Sequence, residues 1–208
     1  MNENDDIIEL ESGILDGTEI EELFYLDDVQ RRRLYLENEV TQEAISTIVK
    51  HILRFNFADM GVPVQDRQPI ILYISSIGGD YDAGMQLIDT IEASVTPVWT
   101  VNLGNAYSMA FYISLAGHER FTMPNAKFLM HDGSMVLYDS VGKLKEAFEF
   151  HNRILDKIKR FVLEHSALTS AEFDDKYRTE WYMFAEEAIE KGFVDHIIGK
   201  DCSLEEVV

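Results

Sequence analysis

Between Pro69 and Val101 the sequence leaves the chain little choice of fold. Pro69-Ile70-Ile71-Leu72-Tyr73-Ile74 is a continuous apolar run, the pattern of a strand buried on both faces. Gly78-Gly79 supplies a turn, and Met85, Leu87, Ile88 and Ile91 follow in a helical pattern. Pro97 ends that helix, and Val98 to Val101 begins a second buried strand. Strand, helix and strand in this order make a βαβ unit, whose right-handed crossover sets the two strands parallel. The fold class is α/β.

Further elements extend the unit on both sides. Leu34-Tyr35-Leu36 is a short strand after Arg31-Arg32-Arg33. Residues 41–57 read as a helix, with Thr41 as N-cap and Ala44, Ile45, Ile48, Val49 and Ile52 on its apolar face. Residues 59–68 form a loop. A helix is expected over 108–116, short strands over 119–123 and 127–131, a long helix over 141–166, a short helix over 185–191 and a strand over 193–198. No tandem repeat, low-complexity stretch or internal linker interrupts the series. Residues 29–208 therefore read as one domain, preceded by the segment 1–28.

The long helix carries two apolar stripes. Val141, Leu144, Phe148, His151, Leu155, Ile158, Val162 and His165 alternate in steps of three and four, and Ala147, Phe150, Ile154 and Phe161 lie beside them. One stripe covers a core, whereas two adjoining stripes imply burial against more than one surface. A contact between subunits is expected there, with Ile154 and Phe161 in it. His151 and His165 read as packed histidines rather than metal ligands.

Composition removes several classes of function. Apolar residues at 46% and charged residues at 27% are ordinary for a globular chain, which excludes disorder, collagen-like repeats and a disulfide scaffold. A single cysteine, Cys202, allows neither an intrachain disulfide nor a multi-cysteine metal site, and it suits a reducing compartment. No apolar run approaches the roughly 18 residues that span a bilayer. The start, MNENDDIIELESG, lacks the basic region and apolar core of a signal peptide. A cytoplasmic protein away from membranes is expected. The net charge of −20 is uneven: residues 1–28 hold eleven acids and no Lys or Arg. The other 180 residues carry 27 acids against 18 bases. Such a chain repels phosphate backbones, which argues against nucleic acid as a partner. The acidic start reads either as an interaction arm or as a solvated, mobile tail.

Three places have the residue types for chemistry. Ser75-Ser76-Ile77-Gly78-Gly79-Asp80 links a buried strand to a helix, and two glycines let backbone N–H groups approach a ligand; an ordinary tight turn has the same look. In Gly104-Asn105-Ala106-Tyr107-Ser108-Met109-Ala110, Ser108 leaves a strand at the first turn of a helix. Free N–H groups and the helix dipole there favour a developing oxyanion, while a plain N-cap serine is the simpler role. Lys127 to Gly133 places His131 at the end of an apolar strand, where sites form in open α/β sheets.

The combination, in this order and spacing, resembles the proteolytic subunit of the Clp protease, a serine peptidase of the ClpP/crotonase fold. The similarity runs from about Arg31 to Ile198. ISSIGGDYDAGMQLIDTI resembles the family's S-P-G-G segment and following helix, and GNAYSMAFYISLAG its nucleophile segment. FTMPNAKFLMH resembles the histidine strand, and EWYMFAEEAIEKGFVDHII the closing segment. By position, the resemblance implies Ser108 as nucleophile, His131 as general base, and the backbone N–H groups of Gly79 and Met109 as oxyanion hole. The family's orienting Asp falls at Glu180, with Asp132, Asp174 and Asp175 as alternatives. Ile77 stands where the family has proline, and Asp132-Gly133-Ser134-Met135-Val136-Leu137-Tyr138 stands where the family has a proline and a Gly-rich, substrate-pairing strand.

The resemblance further implies a fold of repeated ββα units with a long protruding handle helix, and no cofactor or metal. It implies heptameric rings stacked into a tetradecamer through the 141–166 helix, with unfolded polypeptides as substrates. A separate AAA+ ATPase would supply unfolding, since the chain has no Walker-type Gly-x-x-x-x-Gly-Lys-Ser/Thr segment. Two other readings stay open: a non-catalytic ring subunit, and a crotonase-type acyl-CoA enzyme.

Overall fold

The central strand is buried on both faces because helices cover one side of it and the C-terminal segment covers the other. A computed structural model describes residues 17–133 and 140–208, with side chains from Ile20 onward. The chain divides into two units, Met1–Arg31 and Arg32–Val208. In the first unit the sequence pattern predicts no element, yet Gly17–Gln30 is helical (α1). It lacks proline, and Asp27 and Arg31 pair at i,i+4 across its C-terminal end.

The second unit is built on β1 (Arg33–Val40), α2 (Gln42–Ala58), β2 (Ile70–Gly79), α3 (Tyr81–Ala93), β3 (Val98–Tyr107) and α4 (Met109–Leu115). It continues with β4 (Glu119–Thr122), β5 (Lys127–Met130), α5 (Val141–Glu164), α6 (Ser170–Lys176), β6 (Trp181–Phe184), α7 (Ala185–Glu190) and β7 (His196–Ile197). Two short 3-10 turns, Val64–Asp66 and Leu204–Val207, complete it. Among the described residues the strands form one sheet in the order β1-β2-β3-β4-β7, with β5 on β3 and β6 on β5. β2 and β3 pair in parallel, as the βαβ unit requires. Among the described strands, only β5 and β6 run antiparallel.

The main core lies under α2, α3 and α4, where Leu36, Ile45, Ile52, Leu72, Ile88 and Phe111 are fully buried. On the other face Ile71, Tyr73, Val101, Phe121 and Ile198 cluster with Val207 of the C-terminal turn, and the Tyr73 hydroxyl donates to the Val207 carbonyl. Side chains on alternate residues of β2 therefore reach two apolar layers, which is why 70–74 is continuous rather than alternating.

β3 runs for ten residues, well past Val101, and forks. Its first half, Trp99 to Asn102, pairs with β4, and its second half, Asn105 to Tyr107, pairs with β5. Buried Asn102 staples the fork: its amide donates to the Lys127 carbonyl at 3.0 Å, and its carbonyl oxygen accepts from Gly104 N–H at 3.1 Å. The polar Asn102 and Gly104 look like the end of a strand in sequence, and β6 and α6 are too short to show a period.

α5 is less buried than its two stripes imply. Ile158, Phe161 and Val162 enter the core, Ile154 and Leu155 pack against it, and Phe148 and Phe150 are exposed. The second stripe is thus divided. Phe161, expected at a contact between subunits, is core of its own domain.

Candidate active site

Ser108 sits between β3 and α4 with φ 53° and ψ −121°. A helix-capping serine has extended dihedrals and accepts a hydrogen bond from the first turn. Ser108 has neither: its backbone is left-handed in φ, and its side chain makes no capping bond. Such strain in a residue with a Cβ persists only where its surroundings enforce it. Here Ser108 N–H donates to the Leu129 carbonyl at 2.9 Å, and the Ser108 carbonyl accepts from Phe111 N–H at 3.0 Å. The turn is held from both sides.

The Gly-Gly pair is dictated by close approach. A Cβ on Gly78 would lie 2.6 Å from the Tyr107 carbonyl oxygen and 2.8 Å from Ser108 Cβ. One on Gly79 would lie 2.5 Å from the Val40 carbonyl oxygen, and both residues have positive φ, 89° and 151°. Only glycine brings this strand end against the serine turn. Asp80 then caps α3, accepting from Ala83 N–H at 2.7 Å. Met109 is the first residue of α4, a position whose N–H has no acceptor within the helix.

His131 follows the last residue of β5, and Glu180 precedes the first of β6. Because these strands are antiparallel with Met130 opposite Trp181, the next rung places His131 and Glu180 face to face. His131 Nδ1 lies 3.0 Å from Glu180 Oε1. Of the alternatives, Asp174 pairs with Lys159 at 2.6 Å and Asp175 with Lys176 at 3.6 Å, while Asp132 lines the same cavity as Ser108 and His131. His131 Nε2 is buried and takes no hydrogen bond. Ser108 and His131 both line one cavity of about 470 Å³, together with Gly79 and Met109. Its wall from α5 is apolar, formed by Phe150, Ile154, Leu155 and Ile158. His151, read as a packed histidine, also faces this space.

Two supporting residues have no signal in the sequence. Tyr112 of α4 donates its hydroxyl to the His131 carbonyl at 3.1 Å, fixing the backbone behind the imidazole. Its burial raises the phenol pKa well above the usual 10, so it remains a donor. Asn102, through the fork of β3, sets where β5 starts. Residues 134–139, which include most of the expected substrate-pairing strand, lie outside the described residues. Among the described residues no three His, Cys, Asp or Glu side chains gather as metal ligands would. No helix among them is long and apolar enough to cross a membrane.

The family profile described as Clp protease matches residues 21–201. The chain belongs to the Clp protease family. Similar curated proteins agree along nearly its whole length. The ATP-dependent Clp protease proteolytic subunit 2 of Rhodococcus jostii (strain RHA1) is 27% identical over 187 residues, covering 88% of this chain and 92% of the relative. That of Nocardia farcinica (strain IFM 10152) is 29% identical, covering 88% of each chain. That of Cutibacterium acnes (strain DSM 16379 / KPA171202) is 31% identical, covering 83% of this chain and 80% of the relative. Membership and the α/β fold agree with the sequence reading, and they support a Clp-type peptidase. At 27–31% identity the chain is a divergent member.

Proposed function

We propose that this Clp-family chain is a serine endopeptidase that uses Ser108, His131 and Glu180. One observation carries the reading: Ser108, strained and free of any capping duty, shares a cavity with a histidine whose far nitrogen is already held by a carboxylate. Nδ1–H donated to Glu180 leaves Nε2 as the basic nitrogen. Ser108 and His131 line the same cavity, and a serine–histidine hydrogen bond that is open in the free protein is commonly completed when substrate binds.

In the reaction Ser108 Oγ attacks the peptide carbonyl carbon while its proton passes to His131 Nε2. The N–H groups of Gly79 and Met109 stabilise the oxyanion. Collapse breaks the C–N bond, the amine leaves with the proton from Nε2, and an ester on Ser108 remains. Water, deprotonated by His131, repeats the sequence and frees the serine. Glu180 keeps the Nδ1–H hydrogen bond throughout and stabilises the imidazolium. The apolar wall of α5 suits an apolar substrate side chain.

The assembly belongs to the same proposal: heptameric rings stacked into a tetradecamer, fed with unfolded polypeptide by a separate AAA+ ATPase in the cytoplasm. The unbonded Nε2 favours one competing reading, a non-catalytic ring subunit. Hydrolysis of short fluorogenic peptides separates them. The wild-type chain should cleave and Ser108→Ala should not, with its fold intact. Activity surviving in a clean Ser108→Ala preparation rules out the serine mechanism, and absence of activity in the assembled wild type supports the non-catalytic subunit.

A further inference from the structure

We infer that Tyr182 is a positioning residue of this site: its hydroxyl anchors the outer carboxylate oxygen of Glu180, so that the inner oxygen stays on His131. The inference rests on the roles proposed for Ser108, His131 and Glu180.

Glu180 needs such an anchor. Its side chain is 59% exposed, so water competes for both oxygens. Glutamate also has one more rotatable bond than aspartate, and more freedom to lose when it is held. A carboxylate fixed through one oxygen can pivot about that contact; a second donor removes the pivot. Glu180 Oε1 faces His131 Nδ1 at 3.0 Å, and the Tyr182 hydroxyl donates a long hydrogen bond to Oε2 at 3.4 Å.

Sheet register explains why Tyr182 can serve. Tyr107 on β3 pairs with Leu129 on β5, and Leu129 pairs with Tyr182 on β6. These three residues form one row across three strands, with side chains on one face. Two residues further along β5 is His131, and two residues back along β6 is Glu180, so the next row on that face is the His131–Glu180 pair. The Tyr182 ring meets the Tyr107 ring edge to face, with centroids 5.9 Å apart and planes at 88°. Tyr107 is the residue before Ser108. A single row thus joins the backbone that carries the serine to the hydroxyl that holds the carboxylate. Partial desolvation first, and then the charge on Glu180, raises the Tyr182 phenol above its usual pKa. It remains a donor throughout the range in which a histidine titrates.

The consequence falls on the rate and its pH dependence. With the hydroxyl gone, Glu180 spends part of its time in water and the imidazolium loses support. Weaker support of the imidazolium moves the acid limb of kcat/KM to lower pH. The test compares Tyr182→Phe, Glu180→Gln and the double variant in the full chain, with a fluorogenic peptide and complete pH profiles. Tyr182→Phe keeps the ring contact. It should lower kcat about 3- to 10-fold, leave KM unchanged and shift the acid limb downward. Glu180→Gln should lower kcat by roughly 10²- to 10⁴-fold, and the double variant should match it, because a hydroxyl that acts only through the carboxylate has nothing left to hold. An equal loss from Tyr182→Phe in both backgrounds, or a loss confined to KM, overturns the role of Tyr182 while leaving that of Glu180. Wild-type rates in Glu180→Gln instead overturn the assignment of Glu180, and the inference with it.

Discussion

Asp59 is a carboxylate that this fold buries and then has to satisfy. It is 6% exposed at the end of α2. Arg32 reaches it with two nitrogens at 2.6 and 2.7 Å, and the Thr96 hydroxyl donates to it at 2.7 Å. The Arg32 hydrogen bonds are the main reason its pKa drops from 3.8 to about 2. A carboxylate with a depressed folded pKa contributes stability above its unfolded value and loses it as pH falls through the folded one. Asp59 should thus stabilise the fold fully at pH 5 and forfeit about 2 kcal/mol by pH 2. Urea unfolding of wild type and Asp59→Asn at a series of pH values checks this. The gap between the two should narrow by that amount across the range, and a constant gap would contradict it. Ser108 is the opposite case at the same scale: a residue whose unfavourable dihedrals are kept for position rather than stability.

At the scale of elements, what was legible followed period and punctuation. The run 70–74, the two glycines and Pro97 identified β2, α3, β3 and their parallel pairing because each is a local signal. Ser108 stands out because it opens a helix that the pattern shows, and His131 because it ends a strand that the pattern shows. The carboxylate that faces His131 does not: Glu180, Asp132, Asp174 and Asp175 are equivalent by type, and only the register of β5 on β6 places Glu180 at 3.0 Å from the imidazole. Register is a long-range property, and four-residue strands carry little of it in sequence. The fork of β3 was hidden for a related reason. Asn102 looks like a strand terminus because its polarity shows, while its partners, Lys127 and Gly104, do not. Tyr112 and Tyr182 read as ordinary apolar positions until the backbone carbonyl and carboxylate they bond are in place.

For the whole molecule, the question is what α5 meets. Its C-terminal turns belong to the core, but Phe148 and Phe150 are 57% and 58% exposed toward its other end. Residues two apart on a helix point to different faces, so these two rings offer apolar surface on both sides of this end of α5. The proposed stacking of rings would bury them. Replacing both with Glu should therefore yield smaller species by sedimentation velocity, with the fold preserved because neither side chain lies in the core. Replacing Phe161 would not test assembly, since it would open the domain's own interior. A Phe148→Glu, Phe150→Glu variant that sediments as wild type would remove this helix from the assembly.

The central claim is that Ser108 is a nucleophile activated by His131 and Glu180, and a fluorophosphonate probe reads it directly. Such probes phosphonylate an activated serine hydroxyl and leave ordinary serines untouched. Incubated with the intact chain and followed by peptide mass spectrometry, the probe should give one adduct, on the peptide that contains Tyr107-Ser108-Met109. The adduct should disappear in Ser108→Ala and form far more slowly in His131→Ala. A folded, assembled protein that takes no label at Ser108, or labels there equally well without His131, would contradict the account.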